Sequence, residues 1–344
     1  MHMADALLSP AVGATMWVGS VATIGYSSRK LKDNIDNKTI PLMGVMGAFI
    51  FAAMMINFTI PGTGSSGHIA GGIILTVILG PYAAFLALAS VLTVQALFFA
   101  DGGVLALGCN IWNMGFYPCF IGYPLIYKPI AGDGTIARRI SIAAIASAVI
   151  SLQLGAFSVV LETLLSGKSE LPFGTFVLLM QPIHLAIGIV EGIITAGIIN
   201  YVRKARPEIL EASSFSRPLD AGISIKNVLI AFLILAVIAG GAVSWFASTH
   251  PDGLEWSIEK VTGKGELAES TKGIAPVLKE IQEKTAFLPG YNFKQEDKVK
   301  KGEEKSAAWP GIETGTSVAG IVGGTIVLIF ILLIGFGIRL FKKQ

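Results

Sequence analysis

The residues Gly67-His-Ile-Ala-Gly-Gly-Ile-Ile-Leu-Thr-Val-Ile-Leu-Gly-Pro81-Tyr-Ala-Ala-Phe-Leu-Ala-Leu-Ala-Ser-Val-Leu-Thr-Val-Gln-Ala-Leu-Phe-Phe99 decide how this chain threads a membrane. They could form one long helix or two. Gly80-Pro81 interrupts them, and a proline inside a helix removes an amide donor and clashes with the preceding turn. The gathering of Lys and Arg in cytoplasmic loops gives a second argument. Arg29, Lys30, Lys32 and Lys38 place the first loop in the cytoplasm and the N-terminus outside. A single crossing over 67–99 would send Lys128, Arg138 and Arg139 outward. Two crossings keep them inside, with Arg203, Lys204, Arg206, Arg217, Arg339, Lys342 and Lys343. We take two, the first of them short.

Outward from that stretch, apolar runs place helices near 7–28, 40–58, 67–79, 82–99, 105–127, 136–163, 173–203, 225–248 and 317–338. A spanning helix needs about 20 residues. The pattern predicts an all-α polytopic membrane protein. A seven-helix bundle covers 1–203, and a basic cytoplasmic linker covers 204–224. A second module covers 225–344, where two transmembrane helices flank an extracytoplasmic region, 250–315. That region holds 12 of the chain's 23 acidic residues and ten lysines, a content that predicts loose or partly helical structure. Gly320-x-x-x-Gly324 offers a small-residue packing face on the last helix.

Composition agrees with a protein that lives in the lipid bilayer. Of 344 residues, 53% are hydrophobic and 14% charged, and the mean hydropathy is +0.67; soluble domains carry about 25% charged residues. Net charge is +3, and no nucleic-acid partner is expected. Cys109 and Cys119 lie in apolar segments, so neither a disulfide framework nor a cysteine-rich metal site is predicted. Gly167-Lys168-Ser169 is only the tail of a phosphate loop, so the chain does not read as an ATPase. We expect neither an enzyme nor an organic cofactor.

The four histidines are His2, His68, His184 and His250. The predicted topology puts His2, His68 and His250 at outer helix ends and His184 near mid-membrane. No leader pattern precedes the first helix, and a bulky second residue favours retention of Met1. A metal bound by the Met1 amine and the deprotonated His2 amide closes a five-membered ring; the His2 Nδ1 closes a six-membered one. Planar nitrogen donors suit Ni(II) or Cu(II). His68 ends the uncharged, glycine-rich loop Asn57-Phe-Thr-Ile-Pro-Gly-Thr-Gly-Ser-Ser-Gly-His68 and is expected to begin a helix as the fourth nitrogen ligand. Asn57 and Ser66, on the same loop, are candidates for neighbours of the site or its pathway.

Further on, Asp101, Asn110 and Asn113 flank an outer turn. They either orient the ligand imidazoles or glue helices together. His184 and Glu191 share one helix face at i, i+7. They form either a functional pair at membrane depth or a structural His–Glu pair. Glu162, at a helix end, reads as solvated.

These stretches together resemble the CbiM/NikM family, the substrate-binding S subunits of energy-coupling-factor nickel and cobalt transporters. The matching pieces are Met1-His2, Pro61-Gly with Ser66-Gly67-His68, Gln95-Ala-Leu-Phe-Phe-x-Asp101-Gly102-Gly103, Ala106-Leu-Gly-x-Asn110-Ile-x-Asn113-Met114-Gly115, and His184-x-x-Ile-Gly-x-x-Glu191-Gly192. Pro251-Asp252-Gly253-Leu254-Glu255 resembles the opening of the PDGLE accessory domain. The resemblance implies a fused S subunit and accessory subunit in a prokaryotic inner membrane. It implies capture of Ni²⁺, or of Co²⁺ as the alternative, through Met1, His2 and His68. It also implies a transmembrane coupling subunit and cytoplasmic ATPases as partners. A competing expectation is a secondary transporter with His184 and Glu191 as a proton relay.

Overall fold

The computed structural model describes residues 1–215, 217–220, 222–268, 273–294, 311 and 313–342. Lys343 and residues 295–310 of the long inter-helix region lie outside them. The bundle contains α1 (Pro10–Asn34), α2 (Thr39–Met54), α3 (Gly72–Leu79) and α4 (Pro81–Phe99). A continuous helical run follows: α5 (Leu107–Ile111), a π-helix (Trp112–Tyr127) and α6 (Lys128–Ala131). Pro118 and Pro124 lie inside the π-helix, where neither can donate to the ladder. The run is followed by α7 (Ala137–Leu165), α8 (Phe173–Ala205) and a short α9 (Pro207–Ser214) in the linker. The second module contributes α10 (Lys226–Gly241), α11 (Gly253–Thr262), α12 (Ala275–Thr285) and α13 (Thr314–Lys342). The protein is all-α and polytopic: α4, α7, α8 and α13 are each long and apolar enough to cross a membrane.

Apolar character all round a helix predicts burial, and α2 and α4 bear this out. Nearly every residue of α2 from Ile40 to Met54 is buried, and α4 is buried over most of its length. α2 is covered by α13, α10 and α4. The second module is therefore packed into the bundle, and α10 meets α13 where Gly240 faces Gly320. α7 and α8 pack along each other and leave Leu178, Leu185, Ile189 and Ile193 on an exposed apolar face.

The deciding stretch does form two helices. Gly80, with φ 80° and ψ 161°, breaks it, and Pro81 opens α4. The first of them is shorter than expected and begins later. At eight residues and about 1.5 Å per residue, α3 reaches only part of the way across a bilayer. An antiparallel hairpin, β1 (Phe58–Ile60) and β2 (Ser65–Gly67), takes the place of its expected first turns and of the loop before them. His68 therefore does not start a helix. It lies on extended backbone ahead of Gly71, whose φ of 73° is left-handed and turns the chain into α3.

Candidate functional site

The first residues are not a polar tail. Met1 and Met3 are buried, and Asp5–Leu7 form one 3-10 turn before α1. The segment is held by its backbone. Met3 N donates to Asn110 Oδ1 at 2.8 Å, Asn110 Nδ2 returns a bond to Met3 O at 3.3 Å, and Gly103 N donates to Met3 O at 2.9 Å. The Asp5 carboxylate accepts from Ala106 N. Asn110 and Asn113, read either as partners of imidazoles or as amides that hold segments together, contact Met3. The Asn113 amide lies beside its sulfur and donates to Glu162 Oε2 at 2.8 Å. Glu162 is buried rather than solvated. A carboxylate at a helix end looks exposed in sequence, and its burial against Asn113 is set by the tertiary fold.

His2 and His68 come together, with ring centroids 5.2 Å apart and planes inclined by 30°. His2 Nε2 lies 3.1 Å from Gln95 Oε1, and its Nδ1 lies 3.5 Å from Asp101 Oδ1. His68 Nδ1 lies 3.2 Å from Ile69 O. A carbonyl can only accept, so Nδ1 carries the proton and Nε2 keeps a lone pair. Glu191 holds this loop from below: its two carboxylate oxygens accept from Ala70 N at 2.9 Å and Gly71 N at 3.0 Å. His184 and Glu191 share a face but do not pair, because the His184 Nδ1 proton goes to Met180 O at 2.8 Å. Asn57 stays apart, and its carbonyl accepts from Ser248 N.

The turn Pro251-Asp252-Gly253 comes from the second module and closes the pocket. Ser66 receives it: Ser66 N donates to Pro251 O at 2.8 Å, and Ser66 Oγ to His250 O at 2.8 Å. Asp252 caps α11 in a capping box with Glu255, and its other oxygen accepts from the Met1 ammonium at 3.1 Å. Burial pushes the Asp252 carboxyl up, but the ammonium and the α11 amides outweigh it and hold the group below the usual carboxylate range. Gly253 lies against α8. A Cβ there would sit 2.9 Å from Ile183 and 3.2 Å from His184 and Ile187, so only glycine allows this approach. Tyr291 donates to Asp101, the carboxylate beside His2, and Gln282 Nε2 donates to Ala96 O and Gly102 O at 2.9 and 2.7 Å.

Both modules have known counterparts in sequence. The family model for the cobalt uptake substrate-specific transmembrane region, CbiM, matches residues 2–209, and the PDGLE domain matches 226–340. The chain belongs to the CbiM family, in its form fused to a PDGLE domain. An Archaeoglobus fulgidus protein, provisionally named fused nickel transport protein NikMN, is 32% identical over 330 residues; the match covers 95% of this chain and 96% of that one. The fused nickel transport protein NikMN of Rhodobacter capsulatus is 31% identical, over 80% of this chain and 82% of its own. A solved structure described as a transition metal transporter matches with a TM-score of 0.54 at 30% identity, covering 63% of this chain and 98% of that one. Metal transport is the function these relatives share.

In this CbiM-family chain the site is flanked by two cavities. The larger, about 230 Å³, lies on the accessory side and is lined by His2, Asp101, Asp252, Glu255 and Glu266 among others. Burial and the neighbouring Asp252 charge push Glu255 up to about 7. The smaller lies beneath the site, between Met1, His68, His184 and Asp252. Among the described residues no three His, Cys, Asp or Glu side chains converge as a metal cluster. Sequence reasoning did not single out Gln95, Asp252 or Tyr291. Gln95 had a usable signal, since an amide inside a membrane helix needs a buried partner. The other two act through the tertiary fold, which no local pattern announces.

Proposed function

We propose that this chain is the substrate-binding subunit of an energy-coupling-factor importer for Ni²⁺. The ion is captured from outside by the Met1 amine, the deprotonated His2 amide, His2 Nδ1 and His68 Nε2. The observation that carries the reading is the meeting of the N-terminus with the stacked His2 and His68 rings, with the His68 Nδ1 proton taken by Ile69 O so that its Nε2 is free. Asn110 fixes the peptide after His2, Glu191 fixes the loop after His68, and the Asp101 carboxylate beside Nδ1 favours a cation there. Four nitrogens arranged this way suit low-spin Ni(II). Co²⁺ can use the same donors, and the Sorangium cellulosum relative, 28% identical, is named a cobalt transport protein.

The site end of the bundle faces outward in this reading and the linker end faces the cytoplasm, as the placement of Lys and Arg favours. A separate coupling subunit and ATPases supply the energy. A proton relay through His184 and Glu191 is disfavoured by the lack of contact between them and by the backbone bonds that each makes. Equilibrium dialysis of the purified full chain with ⁶³Ni(II) tests the site. His2→Ala and His68→Ala are each expected to weaken binding by more than about 100-fold, beyond the range of a merely supporting residue. Binding within about threefold of wild type in either variant would sink the reading.

A further inference from the structure

Two residues other than glycine adopt left-handed backbone among the described residues, Ala100 at φ 53° and Tyr291 at φ 62°. A Cβ crowds the backbone there, and a bulky side chain at positive φ is a true outlier. The two stand on either side of one hydrogen bond. Ala100 ends α4 and turns the chain, so that Asp101 N donates back to Gln95 O at 3.1 Å. Tyr291 belongs to the second module, and its hydroxyl donates to Asp101 Oδ2. Strained backbone persists only where its surroundings over-determine it, and such residues cluster at functional sites.

Packing holds Tyr291 in place. Its ring stacks on Phe99, with centroids 5.2 Å apart and planes inclined by 20°, and Phe51 meets it edge-on at 6.1 Å. The residues before it are tied to the same end of α4: Phe287 lies against Phe98 and Phe99, and Leu288 N donates to Phe98 O at 3.3 Å. The rings anchor the segment, and the hydroxyl reaches the site. Asp101 is thus held by one oxygen and presents the other: Oδ2 receives the Tyr291 hydroxyl, and Oδ1 lies 3.5 Å from His2 Nδ1. Asp101 also borders the cavity of about 230 Å³ on the accessory side. Without the phenol its carboxylate is free to swing from His2 into that space.

We propose that Tyr291 is a positioning residue for metal capture: from the second module it locks the Asp101 carboxylate against His2, where the negative charge favours the ion. The inference rests on the metal-capture reading above. A carboxylate already fixed beside a ligand loses no freedom when the ion arrives, and partners that orient a metal site commonly carry 10–100-fold of its affinity.

The test is a double-mutant cycle on the purified full chain, Tyr291→Phe with Asp101→Ala, read by equilibrium dialysis of ⁶³Ni(II) and by melting temperature. Tyr291→Phe keeps the ring stack and removes only the hydroxyl. Positioning predicts an affinity at least about tenfold weaker with unchanged melting. It also predicts no further loss when Tyr291→Phe is added to Asp101→Ala, because the phenol then has nothing to hold. A smaller loss in Tyr291→Phe overturns the proposal. So does the same loss in both backgrounds, a lowered melting temperature, or failure of Tyr291→Phe to accumulate, since each assigns the residue to the scaffold. Should Asp101→Ala bind too weakly to measure, affinity and melting of the single Tyr291→Phe variant decide. His2→Ala is run alongside. If it binds nickel like wild type, the capture reading itself fails, whatever residue 291 does.

Discussion

The two ends of the bundle are built from different kinds of contact. At the linker end, long cations reach backbone carbonyls near the surface. Lys38 Nζ donates to Asp220 O and Ile223 O, Lys128 Nζ to Ser214 O, and Arg203 Nη1 to Thr135 O. At the site end, buried groups from distant parts of the chain converge on three residues. Met1 is held by Asp252, His2 by Gln95 and Asp101, and the loop after His68 by Glu191. Exposed charged contacts are individually weak. A buried donor or acceptor left without its partner loses about 1–3 kcal/mol. The linker end can thus tolerate change, whereas the site end is fixed in one arrangement, which is what a chelating site needs.

The contrast can be broken by substitution. The largest effect is expected from Glu191→Gln. The new amide would face the Ala70 and Gly71 N–H groups with donors of its own, and the His68 loop would lose its anchor. Nickel affinity should fall about 10–100-fold, the usual range for a residue that orients a ligand; dialysis measures it, and an unchanged affinity would separate Glu191 from the site. Next is Gly253→Val, which drives a branched side chain into Ile183, His184 and Ile187. A destabilisation of about 1–3 kcal/mol is expected from the overpacking, seen as a lower melting temperature and faster proteolysis of the 250–268 segment. Smallest is Lys38→Met at the linker end, where stability should change by no more than about 0.5 kcal/mol with nickel affinity intact. A loss of affinity there would show the two ends to be coupled in a way the contrast denies.

Much of this was legible in the chain. The break at Gly80-Pro81, the long apolar helices and the choice of His2 and His68 as residues to bring together follow from hydropathy and residue chemistry alone. The depth of the site did not. Glu162 reads as a solvated helix end, yet it is buried and bonded by Asn113; His68 reads as a helix start, yet Glu191 takes the amides that would have begun one. In both cases the partner lies on another helix, and the choice between water and protein as partner is made by packing. The Pro-Asp-Gly turn is the clearest instance. Its Asp can be read locally as a helix cap, but its bond to an amine 251 positions away cannot.

The central claim is that the terminal amine of Met1 binds the ion. It is tested most directly by titrating the full chain with Ni(II) while following its visible absorption, with the amine free and then blocked by one extra residue ahead of Met1. The account predicts the yellow band of planar, diamagnetic nickel in the first case and none in the second. An equal band, at equal affinity, from the blocked chain would contradict it.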